Sequence, residues 1–260
     1  KRQGKLDKAI EAYKQSISLK PDYADSYYNM GNALQDKGKM EEAIEAYNKV
    51  LILNPDHALA CNNMGNALKD QFKLDKAIEA YNKAISLKPD YAEAYNNMGN
   101  TLKDKDKLDE AIEAYHNAVL LKPDYADAYS NMGVALHNKG KVDEAIEAHK
   151  QSIFLKPYDP LVYNNMGVTF QNQGILDEAI NVYNKAISLK PNYAEAYSNI
   201  GVALQYQGKV EEAIEAYKKS ILIKPHVEAY INMGNIFKDK DKLDEAITLY
   251  DKAISIKPNN

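Results

Sequence analysis

The 260-residue chain has a single cysteine, Cys61, and a single arginine, Arg2. One cysteine excludes an internal disulfide and fits a reducing compartment. With lysine supplying nearly all the positive charge, flat two-point clamping of carboxylate or phosphate is almost unavailable, because an ammonium group holds an anion as a point charge. Charge of one sign is lacking too: 33 basic residues face 37 acidic ones, net -4, spread evenly along the chain. That excludes the clustered positive surface that nucleic acid or an anionic membrane requires. No apolar run approaches membrane-spanning length and nothing at the start reads as a signal peptide, so a cytoplasmic location is expected. The chain opens Lys1-Arg2-Gln3-Gly4 rather than with Met, and reads there as the interior of something longer.

What is present is a period. Pro21, Pro55, Pro89, Pro123, Pro157, Pro191 and Pro225 are spaced 34 residues apart, and Pro258 follows after 33. The lost residue lies in the turn after Lys224, where a deletion is tolerated. Gly31, Gly65, Gly99, Gly133, Gly167, Gly201 and Gly234 fill one slot, and Gly4, Gly38, Gly140, Gly174 and Gly208 a second. These twelve are all the glycines, so none is left for a phosphate-binding loop. A fixed period of this size marks a solenoid whose units cannot bury their apolar faces alone.

Each unit reads as two helices. In one of them, Tyr95, Met98, Gly99 and Leu102 form an i, i+3, i+4, i+7 stripe on a first helix. Asp90 and Glu93 are spaced as a capping box, as are Asp22/Asp25, Asp124/Asp127 and Asn192/Glu195. The turn slot of Gly38 and its equivalents predicts a left-handed helix end, with Phe72, Asp106 and Asp241 standing in for glycine in three repeats. Leu108, Ala111, Ile112, Tyr115, Ala118 and Val119 then stripe a second helix, and Pro123 closes it. Glutamate–lysine pairs spaced i, i+4, such as Glu215/Lys219, support the helix on a solvated face.

The recurring Tyr-x-Asn-Met-Gly, Asp/Glu-Glu-Ala-Ile-Glu-Ala-Tyr and Lys-Pro resemble the tetratricopeptide repeat. The resemblance covers essentially the whole chain: a half repeat over residues 1–23, carrying a second helix only, then seven repeats at 24–57, 58–91, 92–125, 126–159, 160–193, 194–226 and 227–260. It implies an all-α fold, the TPR alpha-alpha superhelix, a right-handed solenoid of helix-turn-helix repeats. It also implies a concave face, lined by first helices, that binds extended peptide segments, and no enzyme. Cys61 and His149 replace tyrosines of the pattern. Some family members clamp acidic chaperone tails with lysine and arginine. Here the relevant slots hold Asp25, Glu93, Asp127, Glu195, Glu228 or asparagine, which would repel such a tail.

Opposite the Tyr95 stripe, helical geometry places Glu93, Asn96, Asn97, Asn100, Lys103 and Asp104 on the open side. Two residues before the recurrent glycine every repeat has asparagine: Asn29, Asn63, Asn97, Asn131, Asn165, Asn199 and Asn232. A carboxamide offers an acceptor and two donors, matching an extended backbone, so these residues are candidate peptide contacts. The row resembles the asparagine ladder in the repeat arms of O-linked N-acetylglucosamine transferases. An alternative stands beside it, that the amides bridge adjacent first helices. One position past the glycine, Asn32, Asn66, Asn100 and Asn235 give way to Val134, Val168 and Val202. With Tyr28 and Tyr206 these valines are candidate side-chain contacts for an apolar stretch of ligand, or else packing residues between helices.

The five histidines are scattered, and no catalytic, cofactor or metal site is expected. The function expected is a scaffold for protein–protein interaction. Two alternatives are the substrate-recruiting arm of a larger transferase and a scaffold that associates end to end through Ile10, Tyr13, Ile17 and the apolar face of residues 246–254.

Overall fold

The computed structural model describes residues 2–256, so the predicted eighth proline, Pro258, lies outside it. Among the described residues there are fifteen α-helices and no strand. They are α1 (Arg2–Leu19), α2 (Ala24–Asp36), α3 (Met40–Leu53), α4 (Ala58–Asp70), α5 (Leu74–Leu87), α6 (Ala92–Asp104), α7 (Leu108–Leu121), α8 (Ala126–Asn138), α9 (Val142–Leu155), α10 (Pro160–Asn172), α11 (Leu176–Leu189), α12 (Ala194–Tyr206), α13 (Val210–Ile223), α14 (Val227–Asp239) and α15 (Leu243–Ile256). None is long and apolar enough to cross a membrane.

The chain divides into two compact units, Lys1–Ala135 and Leu136–Asn260. In the first, α2 packs on α3, α4 on α5 and α6 on α7, and each hairpin also meets the next. In the second, α10 pairs with α11, α12 with α13 and α14 with α15, stacked in the same way. The contact inside a hairpin is made by a glycine against a tyrosine ring. A Cβ built on Gly99 would stand 2.7 Å from Cε1 of Tyr115, and one on Gly65 2.6 Å from the same atom of Tyr81. Tyr47, Tyr81, Tyr115, Tyr183 and Tyr217 are thereby wholly buried, with Ala43, Ala77, Ala111, Ala179 and Ala213 beside them. Burying each such ring contributes on the order of 2 kcal/mol.

First helices end as the turn slot predicts. Gly38 N–H donates to Gln35 C=O at 2.9 Å and Lys39 N–H to Leu34 C=O at 2.9 Å. These are the two reversed bonds of a left-handed helix end. Phe72, Asp106 and Asp241 make the same bonds at φ 57°, 58° and 59°, at a steric cost glycine does not incur.

Three of the four expected capping boxes, Asp22/Asp25, Asp90/Glu93 and Asn192/Glu195, are not used. Helices α2, α6 and α12 begin one residue later than that pattern requires, with Tyr23, Tyr91 and Tyr193 as N-caps and no side-chain cap bond. The Lys-Pro-Asp-Tyr turn closes on itself, Tyr91 N–H donating to Lys88 C=O at 3.1 Å, and this leaves Asp90 outside the helix. Glu93 instead accepts from Lys122 at 2.9 Å. Side chains do cap α4, where His57 Nδ1 accepts from Ala60 N–H at 3.1 Å, and α10, where Asp159 accepts from Leu161 N–H at 2.9 Å beside Pro160 in the first turn. Glu215 pairs with Lys218 at 2.8 Å rather than with Lys219, whose ammonium lies over the Tyr197 ring.

Candidate functional site

The asparagine slot lies on the first helices, half-buried at Asn63, Asn97, Asn131, Asn165, Asn199 and Asn232 and exposed at Asn29. The carboxamides are not free of the chain. Asn97 Nδ2 donates to Oδ1 of Asn62 at 3.1 Å, Asn131 to Asn96 at 3.0 Å, and Asn199 to Asn164 at 3.0 Å. Asn63 donates to the Tyr28 hydroxyl at 3.2 Å and to Asn32 Oδ1 at 2.9 Å. Asn97, Asn131 and Asn199 are thus each tied by Nδ2 to the preceding first helix, and Asn63 is tied twice while its Oδ1 also accepts from Asn62 at 3.1 Å. This is the bridging role the sequence left open. In Asn97, Asn131 and Asn199 such a tie fixes the plane of the amide and leaves its other polar atoms at the half-exposed face.

That tie corrects one expectation. Asn96, placed on the open side by its angle, is buried at 5% exposure, as are Asn62 and Asn164. A first helix is covered by its own hairpin partner and by first helices on both sides, so its open face is narrower than half a helical wheel.

A second layer lies beneath. Tyrosine hydroxyls of the second helices, from buried Tyr47, Tyr81 and Tyr115 and half-buried Tyr250, donate to Asn32, Asn66, Asn100 and Asn235 at 2.8 Å. Where valine replaces that asparagine, the remaining acceptor is a glutamine three residues on, Gln171 for Tyr183 at 3.1 Å and Gln205 for Tyr217 at 3.2 Å, a contact Tyr47 also makes with Gln35 at 3.0 Å beside Asn32. Burial pushes the Tyr47, Tyr81, Tyr115, Tyr183 and Tyr217 hydroxyls far above their ordinary range, so they remain neutral donors. Val168 and Val202 lie half-buried on the core of the second unit, and Val134 is half-buried. At Val168 and Val202 the change from asparagine leaves the tyrosine hydroxyl to the glutamine, a relation that reading each helix by itself does not show. The signal was present: valine occurs only where glutamine or histidine stands three residues later.

The remaining candidates are dispersed. Tyr28 is half-buried, its ring 4.8 Å from that of His57, while Tyr206 is exposed at 74%. Lys69 and Asp104 pair at 3.2 Å, so part of the charge on this face is internally matched. In the first unit Asn97, Asn66, Asn100, Gln35, Lys69 and Tyr81 line one cavity of about 290 Å³. Larger hollows of about 400 and 480 Å³ lie between successive second helices, floored by Leu34 and Leu204, away from the asparagines.

The repeat of hairpin, glycine–tyrosine contact and left-handed turn is matched by known families. A family model described as the C-terminal domain of cilia and flagella-associated protein 70 covers residues 23–224, a TPR-repeat model residues 1–38, and a tetratricopeptide-repeat model residues 227–260. The chain belongs to the tetratricopeptide-repeat family. Among solved structures, this TPR chain resembles one in the APC/C hetero-tetramer Cut9–Hcn1, with 21% identity and a TM-score of 0.71 over 98% of this chain and 50% of that one. It therefore spans half the length of that relative. MamA shares 32% identity with a TM-score of 0.58, over 64% of this chain and 97% of MamA. YrrB, described as a TPR protein with an unusual peptide-binding site, shares 24% identity with a TM-score of 0.59, over 72% and 96%. No curated protein sequence matches.

TPR proteins commonly mediate protein–protein interaction, and the family is typically a non-catalytic scaffold. No cluster of three or more His, Cys, Asp or Glu among the described residues of this TPR chain is arranged to hold a metal ion. Cys61 is buried, and burial pushes its thiol up, away from nucleophilic character.

Proposed function

We propose that the chain is an interaction module that holds an extended segment of a partner protein along the face of its first helices. The asparagine slot supplies main-chain contacts: Asn29, Asn63, Asn97 and Asn131 in the first unit, Asn165, Asn199 and Asn232 in the second. The observation that supports this is the pinned carboxamide. With one N–H held by the neighbouring repeat in Asn97, Asn131 and Asn199, the amide is set in advance, and a ligand backbone binds without ordering that side chain. YrrB, a TPR relative described as having a peptide-binding site, adds a precedent within the fold.

Each hydrogen bond contributes about 0.5–1.5 kcal/mol net, whereas micromolar binding needs roughly 8 kcal/mol. Several amides must act together, and neighbouring slots such as Tyr28, Val134, Val168, Val202 and Tyr206 supply the selectivity. A peptide array probed with wild type and with the Asn131→Ala, Asn165→Ala, Asn199→Ala triple variant tests the reading. The wild type is expected to retain extended peptides that the variant releases. Equal retention by a folded variant removes the carboxamides from the mechanism.

A further inference from the structure

The turn between α13 and α14 is one residue short, and a cavity of about 380 Å³ opens beside it, lined by Glu195, Ser198 and Asn199 of α12 and by Lys224, His226 and Glu228. In three of the longer turns, at Tyr91, Tyr125 and Tyr193, what fills the corresponding place is a tyrosine of the turn itself; Tyr23 is exposed, and His57 and Asp159 hold the slot in two others. Tyr125 is the clearest case. Its ring lies under the Lys122 ammonium at 4.9 Å, near Glu93 and Asp127, with its hydroxyl at Asn96. Glu195, Ser198, Lys224 and Glu228 occupy the slots of Glu93, Asn96, Lys122 and Asp127. Tyr91 and Tyr193 are likewise buried to 8% exposure beneath Lys88 and Lys190, and His57 stacks on Tyr28 in its own turn.

In the short turn the equivalent residue is His226. Its backbone is fully extended (φ −152°, ψ 152°), unlike that of Tyr91 (φ −87°, ψ 79°), and its Nδ1 lies 2.9 Å from the Lys224 carbonyl. The polar and charged surround of a tyrosine is present, and the tyrosine is not.

We infer that this cavity is a subsite for a tyrosine side chain of the bound segment, taking the place that the chain's own Tyr91, Tyr125 and Tyr193 fill in three of the longer turns. A Glu195 or Glu228 carboxylate accepts the hydrogen bond from the phenol hydroxyl, the Ser198 hydroxyl can donate to its oxygen, and Lys224 lies over the ring. The subsite rests on the reading that a peptide lies on this face, since it adjoins Asn199, but it is tested without one.

The probe is N-acetyl-tyrosinamide, titrated against the full chain while the backbone amide resonances of Glu195, Ser198, Asn199 and Glu228 are followed. Saturable shifts confined to this cavity are expected at millimolar concentration, as befits a ligand this small. N-acetyl-alaninamide is expected to bind at least about tenfold more weakly. Ser198→Tyr fills the space and abolishes the shifts. The change is compatible with the fold because Tyr28 holds the same slot in α2. Equal shifts with the alanine amide, or shifts that persist in a folded Ser198→Tyr variant, overturn the subsite. The alanine arm decides the matter even if that variant does not fold. An amino-acid amide has no extended main chain to lay along the asparagines. Silence here with peptides still captured therefore removes only the subsite, and binding here with no peptide captured removes only the asparagine mechanism.

Discussion

Position 149 carries histidine where Tyr47, Tyr81, Tyr115, Tyr183 and Tyr217 stand in other repeats. Its ring is wholly buried, and neither its nitrogens nor Nδ1 of His137 find a partner in the protein. Nε2 of His137 is held at 3.0 Å by the Asn172 amide. Imidazole is shorter than phenol and has no hydroxyl with which to reach a more distant partner. Burial, with His137 nearby, pushes the His149 imidazole down to about 4, so it is neutral in the folded chain. In the unfolded chain it titrates near its ordinary value of about 6.5. Below that pH the unfolded state takes up a proton the native state refuses. Stability therefore falls as pH drops from about 6.5 to about 4, by about 3 kcal/mol in all, and this contribution levels off lower still. His149→Tyr is expected to remove that part of the acid sensitivity. Comparing urea midpoints of variant and wild type at pH 7 and pH 5 checks it, since the carboxylates common to both cancel. Identical pH dependence in the two proteins contradicts the assignment. Gly99→Ala tests packing at the same scale. Its Cβ would press on Tyr115, and a loss of about 1–3 kcal/mol is expected in chemical denaturation despite the better helix propensity of alanine.

At the scale of elements, the helix ends carry the clearest cost. Phe72 holds a left-handed backbone (φ 57°) with its ring 88% exposed, so the strain is not repaid by burial. Phe72→Gly is expected to raise stability by about 1 kcal/mol, read as a higher thermal midpoint, because Gly38 and Gly140 adopt this conformation freely. An unchanged or lowered midpoint means that the ring makes a contact in solution that offsets its backbone. The period made these elements legible: proline and glycine slots mark every turn, and the stripe of Tyr95, Met98, Gly99 and Leu102 marks the packed face. The helix starts were less legible, because Asp90 and Glu93 match a capping pattern while the self-closing Lys88–Tyr91 turn moves the boundary past Asp90. The open face was legible in its asparagines and not in its width. Burial of Asn96 depends on the neighbouring first helix, which spacing within one repeat does not describe. The relation of Val168 and Val202 to Gln171 and Gln205 shows only when first and second helices are read together, since the shared partner is a tyrosine twelve residues further along.

Across each unit as a whole, one slot is used twice. At Asn97, Asn131 and Asn199 the amide fastens a repeat to its predecessor, and its remaining polar atoms line the face where a partner's backbone is proposed to lie. Straps on the surface also join repeats: Lys105 to Asp75, Lys37 to Asp7 and, at 2.8 Å, Gln207 to Asp177. These pairs are largely solvated and contribute little each. The buried amide ties and tyrosine hydroxyls hold the register. The most direct measurement of the central claim is titration calorimetry of an array-selected peptide beside a copy N-methylated at alternate main-chain nitrogens. Methylation removes backbone donors and leaves every side chain in place. If carboxamides grip the main chain, the methylated copy binds the wild type at least about tenfold more weakly. It then loses little more on going to the triple asparagine variant, because both changes remove the same bonds. If the two peptides bind the wild type equally, the carboxamides serve the chain's own packing alone and recognition lies elsewhere on the molecule.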